Sequence, residues 1–207
     1  MSNDLVFRSL GLCDYQSTLD GMKSHLALEP FTNEIWFLEH DSVYTLGTAA
    51  DKSHILNAKN IPVIQTDRGG EVTYHGPGQL VIYFLLDMKL LGIGPNSLVK
   101  ILENFIQKTL TEVSIESHLI KGAPGVFVQN KKIASIGLRI SNNKTYHGVS
   151  INVDMDTAPF DNINPCGYAG LKVTQIKEFS DTVKISSIEA IAKKNLNNLF
   201  TMNYEKA

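Results

Sequence analysis

Several classes of protein are excluded by what the sequence lacks. It has two cysteines, Cys13 and Cys166, in 207 residues, which rules out a disulfide framework and indicates a reducing compartment. The 19 basic and 21 acidic residues give a net charge of −2, so the basic surface typical of nucleic-acid binding is missing. The longest apolar run, residues 80–86, is far too short to span a membrane, and no signal pattern opens the chain. A cytoplasmic protein with no nucleic-acid or membrane partner is therefore expected.

Motifs that bind nucleotides or metals are also lacking. The glycines of residues 69–78 do not have the spacing of a dinucleotide fingerprint, and they precede a strand-like run instead of a helix. No Gly-Lys-Ser/Thr phosphate loop occurs. No two histidines have the spacing of metal ligands, so we predict no metal site.

The hydrophobic pattern predicts one α+β domain over residues 1–207. Helical periodicity follows Asp14, which can cap a helix, and recurs over residues 97–113. The pair Ser186 and Glu189 has the spacing of a capping box that opens a last helix. Strands are predicted at residues 5–10, 35–38, 43–46, 80–86, 125–129, 133–140 and 148–153. Because strands and helices mix without regular alternation, we expect a mixed β-sheet flanked by helices.

The first segment that indicates chemistry is RGGEVTYHGPGQ, residues 68–79, which holds four glycines and a proline before the most apolar run. One interpretation is a long hairpin loop, in which glycine supplies positive φ angles and Pro77 fixes a turn. The other is a ligand loop, whose backbone N–H groups approach a substrate while Arg68, Thr73 and His75 offer polar side chains.

The second segment is KKIASIGLRI, residues 131–140, where strand alternation points Lys131 and Lys132 to opposite faces. Lys132 would share its face with Ala134 and Ile136, and this apolar surrounding would favour a neutral amine that accepts a proton. A solvated turn lysine is an equally good interpretation of the spacing alone.

The third segment is NPCGYAG, residues 164–170, which places Cys166 in a loop rich in proline and glycine. Most free cysteines are buried small hydrophobes, and Cys13 fits that description beside its helix. Cys166 differs, because the following glycine permits close approach and leaves backbone donors for an oxyanion hole. His75 and His147 each precede a glycine in a loop-to-strand transition, so they are candidate bases or positioning groups.

Taken together and in this order, these three segments resemble the lipoyl(octanoyl) transferase family. The resemblance rests on RGGEVTYHGPGQ (68–79), KIASIG (132–137) and NPCG (164–167), and extends from about residue 30 to residue 175. Supporting runs are YTLG (44–47), APGV (123–126) and HGVSINV (147–153).

The resemblance implies the fold of biotin and lipoate protein ligases and a dyad of Cys166, the acyl-thioester nucleophile, with Lys132, which favours its thiolate. It implies transfer of an octanoyl group from acyl carrier protein to a lysine of lipoyl domains in 2-oxoacid dehydrogenase complexes or of the glycine cleavage H protein, the first step of endogenous protein lipoylation. No cofactor is implied, because a thioester is already an activated acyl donor. The substrate-lining residues that the resemblance implies are Arg68, Gly69, Gly70, Glu71, Val72, Thr73, Tyr74, His75, Ser135, Ile136, Gly137, Gly148, Val149 and Ser150.

Three alternatives belong to other classes. An ATP-dependent lipoate or biotin protein ligase of the same fold would need an adenylate-binding segment and no cysteine nucleophile. A binding module without catalysis would use Cys166 only structurally. A cysteine hydrolase would normally pair its nucleophile with histidine, and water would have to outcompete the acceptor lysine.

Overall fold

The computed structural model describes residues 5–168 and 170–204, without the side chains of Cys166 and of residues 201–204. The strands in chain order are β1 Leu5–Cys13, β2 Asn33–His40, β3 Val43–Leu46, β4 Val63–Gln65, β5 Val72–His75, β6 Gln79–Leu85, β7 His118–Ile120, β8 Ala123–Val128, β9 Lys131–Ser141 and β10 Lys144–Asn152. The helices are α1 Tyr15–Leu26, α2 Met88–Leu91, α3 Pro95–Thr111 and α4 Ile185–Tyr204.

Seven of these strands form a mixed sheet in the order β1-β2-β6-β10-β9-β8-β7. Only the β1–β2 pair is parallel, and the other neighbours run antiparallel. A second, three-stranded sheet has the order β4-β3-β5. Consecutive strands β2 and β3 therefore belong to different sheets, and the short turn between them carries the chain from the large sheet to the small one.

Strand β6 lies inside the large sheet, and all seven of its residues are buried. Alternate side chains of β6, including Ile82 and Phe84, pack against α3 and α4. The side chains between them, such as Val81 and Tyr83, pack toward α1. This matches the prediction from residues 80–86, because a run that is apolar at every position suits a strand covered on both faces.

The predicted helices are confirmed, with one correction at a terminus. Asp14 caps α1 by accepting a hydrogen bond from Ser17 N at 2.8 Å. The predicted capping box of Ser186 and Glu189 is wrong, because α4 begins at Ile185 and Ser186 already lies in its first turn. The Glu189 carboxylate instead pairs with Lys193 at 2.7 Å, one helical turn further along.

The glycine-rich segment is also more ordered than the hairpin-loop interpretation predicts. Residues 72–75 form β5, which pairs antiparallel with β3. Gly70 and Gly78 have φ angles of +88° and +87°, so positive φ occurs on both sides of this strand, as that interpretation expected.

None of the helices described is long and apolar enough to cross a membrane. The cytoplasmic location and the single domain over residues 1–207 stay predictions.

Candidate active site

A cavity of about 180 Å³ lies between the glycine-rich segment and the face of the large sheet toward α1. Its walls come from the backbone of residues 68–73, from β9 and β10, and from Tyr168 just after the predicted nucleophile. The lining residues are Tyr15, Arg68, Gly69, Gly70, Glu71, Val72, Thr73, His75, Val81, Tyr83, Gly122, Pro124, Lys132, Ser135, Ile136, Gly137, His147, Gly148, Val149, Ser150 and Tyr168.

Thirteen of the fourteen substrate-lining residues that the resemblance implies therefore border one cavity. The exception is Tyr74, which alternates with Thr73 and His75 on β5. Its side chain is buried on the other side of the small sheet, where its ring lies 5.4 Å from that of Phe160 and its hydroxyl is 2.9 Å from Ser42 Oγ. Strand alternation explains the difference, because three consecutive strand residues cannot all face one side.

The buried guanidinium of Arg68 holds the wall of the cavity in place. Its Nη2 donates to the carbonyl oxygens of Thr45 at 2.7 Å and Glu71 at 2.8 Å, and its Nη1 donates to Gly69 O at 3.0 Å. One fork of donors thus fixes the backbone on both sides of Gly70. The Arg68 guanidinium, which was predicted to offer a polar group to a ligand, therefore organises the backbone around Gly70.

Lys132 is buried, with 3% of its surface exposed, at the start of β9. Its Nζ donates to Pro124 O at 2.6 Å and lies 5.6 Å from the centre of the Phe127 ring. A Cβ atom at Gly125 would lie 2.5 Å from Lys132 Cε. The absence of a side chain at Gly125 therefore leaves the space in which the lysine chain lies.

The prediction that Lys132 shares its strand face with Ala134 is wrong. Lys132 lines the cavity, but Ala134 belongs to the apolar core beneath α3 and α4, and Ile136, which also borders the cavity, packs against that same core. The pairing of β8 with β9 shifts between Val126 and Phe127, so that Ile133 is an extra residue on β9. Such a bulge interrupts the alternation on which the prediction relied.

The predicted nucleophile, Cys166, lies in a 3₁₀ turn, Pro165–Gly167; its side chain is outside the described part of the chain. Before the turn, Asn164 N donates to His54 O at 2.8 Å. After it, Lys132 N donates to Lys172 O and Thr174 N donates to Lys132 O, each at 2.9 Å. The chain that follows the Cys166 turn is thus paired by its backbone with Lys132, the residue predicted as the partner of Cys166.

Both candidate histidines are buried and lie on the cavity wall. Burial, together with nearby His40, lowers the pKa of His75 to about 3, although its Nδ1 lies 2.6 Å from Gln79 Oε1. Burial lowers the pKa of His147 to about 4, even though its Nε2 lies 3.0 Å from Asp67 Oδ1. Both imidazoles are therefore neutral at pH 7.

The residue that orients His147 is Asp67, which the sequence reasoning missed. Burial opposes its charge, but hydrogen bonds from Tyr146, at 2.6 Å, and His147 outweigh that cost and lower the pKa of Asp67 to about 2. A carboxylate here only accepts, so Nε2 of neutral His147 carries the proton. Its Nδ1 is then an acceptor, buried without a hydrogen-bond partner in the described part of the chain.

Tyr15 and Tyr83 are further lining residues that were not predicted as site residues. Their hydrophobic spacing fits a core helix and a core strand, so no pattern in the sequence separates them from packing residues. Burial raises the pKa of Tyr15 to about 12. The hydroxyl of Tyr83 lies 2.8 Å from Nε2 of His40, a histidine that was not predicted as a site residue.

Comparison with known proteins places this chain in a family. The model of the lipoyl protein ligase A/B catalytic domain matches residues 22–197. An octanoyltransferase from Marinomonas sp. is 45% identical over 206 residues, which cover 99% of this chain and 96% of that protein.

Two solved structures share the fold at low identity. The structure of a bi-partite lipoate protein ligase and its E2 lipoyl domain from Thermoplasma acidophilum matches with a TM-score of 0.74 at 12% identity, covering 96% of this chain and 84% of that one. Biotin protein ligase from Aquifex aeolicus, in complex with biotin and ATP, gives 0.60 at 17% identity, covering 99% and 73%.

The predicted fold class, a mixed sheet flanked by helices as in these ligases, is confirmed. The chain belongs to the lipoyl protein ligase A/B catalytic domain family. Because its relatives at 44–48% identity over most of the chain are octanoyltransferases, it is an acyltransferase of protein lipoylation.

Proposed function

We propose that this protein transfers an octanoyl group from acyl carrier protein to a lysine of lipoyl domains through a thioester on Cys166. The observation that carries the proposal is the backbone pairing of Lys132 with residues 172–174, which follow the Cys166 turn beside a cavity lined by the glycine-rich segment. The acceptors that we propose are the lipoyl domains of 2-oxoacid dehydrogenase complexes and the glycine cleavage H protein, and the reaction would take place in the cytoplasm.

In the first half-reaction, Lys132 takes the proton of the Cys166 thiol. The thiolate attacks the carbonyl carbon of the octanoyl thioester, the new C–S bond forms, and the bond to the phosphopantetheine sulfur breaks. The leaving thiolate takes the proton back from Lys132. Octanoyl-Cys166 and free carrier thiol are the products, and the lysine returns to its starting form.

In the second half-reaction, the amine of the acceptor lysine attacks the thioester on Cys166. A C–N bond forms, the C–S bond breaks, and Lys132 passes the proton lost by the amine to the cysteine sulfur. Conversion of a thioester to an amide is downhill, so neither half-reaction needs ATP.

The negative oxygen formed in both steps requires backbone donors. Gly167 N already donates to Asn164 O at 3.1 Å within the 3₁₀ turn. We therefore assign the oxyanion donors to the backbone of residues 68–75, apart from Gly69, whose N–H donates to Leu138 O at 2.9 Å, and apart from the N–H groups that pair β5 with β3. Arg68 holds this backbone through the carbonyl groups of Gly69 and Glu71.

Intact-protein mass spectrometry tests this proposal. The wild type, incubated with octanoyl-acyl carrier protein, should gain one octanoyl group that hydroxylamine removes and that an apo lipoyl domain accepts in a second step. Cys166→Ala should gain none. Cys13→Ala is the matched control, because Cys13 lies on β1 outside the cavity lining, and it should behave as the wild type does.

Each alternative predicts a different product in the same experiment. A ligase would modify the lipoyl domain from free octanoate and ATP, and would do so in Cys166→Ala as well. A hydrolase would release octanoate whether or not the acceptor is present, and would leave the lipoyl domain unmodified. A binding module would leave both proteins unmodified, and that outcome would reject the transferase mechanism.

A further inference from the structure

His54 forms a close pair with Glu71, which lines the cavity. His54 Nδ1 lies 2.9 Å from Glu71 Oε2, and about three quarters or more of each side chain is buried. The backbone N–H of Asp51 also approaches the same carboxylate oxygen, at 3.3 Å. The segment that contains Asp51 and His54 therefore holds the Glu71 side chain in place.

This pair packs directly against the turn that carries the nucleophile. A Cβ atom on Gly167 would lie 3.3 Å from His54 Cε1 and 3.5 Å from Glu71 Cδ. The two side chains thus occupy the space beside Gly167, the residue that follows Cys166. A larger residue at position 167, whose φ is +74°, would both strain the backbone and displace the pair.

Backbone contacts connect the same two segments. Asn164 N donates to His54 O at 2.8 Å, Leu56 N donates to Asn162 O at 2.8 Å, and Ile55 forms a bridge with Ile163. The backbone around His54 therefore pairs with residues 162–164, which lead into the Cys166 turn.

Glu71, in contrast, belongs to the wall of the acyl cavity. Its carbonyl oxygen accepts from Arg68 Nη2 at 2.8 Å and from Gly47 N at 3.3 Å. The His54–Glu71 contact is thus a side-chain link between two parts of the site: the turn with the nucleophile and the loop beside which the acyl group would lie.

We infer that His54, acting through Glu71, is a positioning residue that sets where the Cys166 turn lies relative to the cavity wall. The inference rests on the function proposed above. Acylation requires the thiol to meet a carbonyl carbon whose position the cavity fixes, and a displacement of about 1 Å can cost on the order of 100-fold in rate. Loss of the link should therefore slow the chemical step more than it weakens binding of the donor.

The experiment measures acylation of Cys166 in single turnover, with octanoyl-acyl carrier protein varied to separate the maximal rate from the half-saturating concentration. The variants are His54→Ala, His54→Asn and Glu71→Gln in a Cys13→Ala background. His54→Asn keeps an N–H donor near the position of Nδ1, and Glu71→Gln keeps an oxygen acceptor. His118→Ala, an exposed histidine on β7, is the matched control.

For His54→Ala we expect a maximal acylation rate lower by roughly 10- to 100-fold, with the half-saturating donor concentration changed less than about threefold. His54→Asn should recover most of the rate, and Glu71→Gln should lose less than His54→Ala. The midpoint of urea unfolding should be similar in all variants, because the pair is partly exposed.

Two outcomes would overturn the inference while leaving the proposed function intact. The first is His54→Ala acylated at the wild-type rate. The second is a loss in His54→Ala that His54→Asn does not recover and that follows the unfolding midpoint, which would assign His54 to stability. If the wild type itself gains no octanoyl group, the proposed function fails first, and the two failures are thereby distinguished.

Discussion

The two faces of the seven-stranded sheet bury different chemistry. The face under α3 and α4 is filled by aliphatic and phenylalanine side chains, such as Leu102, Phe105 and Phe84, which are almost completely buried. The face toward α1 and the small sheet buries polar and titratable groups, among them His75 and His147. The first face consists mainly of apolar residues of suitable size, with Thr109 and Asn195 as buried polar residues on α3 and α4, whereas the second needs specific partners.

The polar face shows how buried polar groups are accommodated while the cavity keeps its shape. Burying a polar group costs free energy unless it forms a hydrogen bond. Here Arg68 donates to backbone carbonyls, His147 pairs with Asp67, and Gln79 donates from Nε2 to Asn152 at 2.9 Å. These directional contacts fix the cavity walls, while the opposite face supplies non-directional stability.

The change that separates the two faces most strongly is Lys132→Met. Methionine keeps much of the lysine volume but removes the group that we propose as the base for Cys166. Single-turnover acylation should fall by roughly 10²- to 10⁴-fold, with urea unfolding little affected. Lys131→Met, on a neighbouring lysine paired with Glu178 at 3.1 Å, is the matched control and should retain activity. Retained acylation in Lys132→Met would remove Lys132 from the mechanism.

On the opposite face, Leu102→Ala should show the reverse pattern. Leu102 is fully buried on α3, so the cavity left behind should lower the free energy of unfolding by about 2 to 5 kcal/mol. The acylation rate per folded molecule should not change. Leu90→Ala, at a leucine that is 47% exposed, should cost far less. A large loss of rate in folded Leu102→Ala would show that the two faces are coupled.

The sequence predicts the apolar face better than the site face. Periodicity located α1, α3 and β6, because packing against a core imposes a regular spacing on apolar residues. It missed β5, since glycines on both sides of Val72–His75 gave the appearance of a loop. It also gave Lys132 the wrong neighbour, because a bulge at Ile133 has no signature in the pattern of side chains.

For the site, motifs identified groups that lie close together along the chain. Local runs led to Arg68 and Lys132, and thirteen of the predicted lining residues border one cavity. Asp67 and His54 were not predicted as site residues, because each acts through a residue far from it in sequence. Asp67 acts through His147, and His54 acts through Glu71. Pairing of this kind is created by the tertiary fold, and no spacing along the chain encodes it.

The pH dependence of stability should report the buried histidines of the site face. The folded protein keeps His75 and His147 neutral, with pKa values of about 3 and about 4, below the usual 6.5. The unfolded chain therefore binds more protons below pH 6.5, so the stabilisation is complete above pH 6.5 and is lost as the pH falls toward 4.

For His147 alone this loss is on the order of 3 kcal/mol. Urea unfolding between pH 7 and pH 4.5 measures this loss. In His147→Gln the free energy of unfolding should depend less steeply on pH, so the slope of that dependence should be smaller. An unchanged slope in that variant would mean that other groups account for the pH dependence.

The smallest expected effect comes from Asp67→Asn, which tests whether the orientation of His147 matters for chemistry or only for folding. Asparagine has one acceptor oxygen where Asp67 uses two, for Tyr146 and for His147. If that oxygen keeps the bond from His147, the amide nitrogen faces the Tyr146 hydroxyl, which must then accept. With one bond reversed and the charge lost, unfolding should become easier by about 1 to 2 kcal/mol.

His147 Nδ1 can serve as an acceptor in the cavity only while the proton stays on Nε2. In Asp67→Asn this requires the oxygen of the asparagine side chain, and not its nitrogen, to face Nε2. Single-turnover acylation should then fall by about 10-fold or less, with a larger fall in Asp67→Ala. Lys23→Ala is the control, because Lys23 approaches the same carboxylate at 3.4 Å from the exposed side. Equal acylation rates in Asp67→Ala and the wild type would limit the Asp67–His147 pair to a structural role.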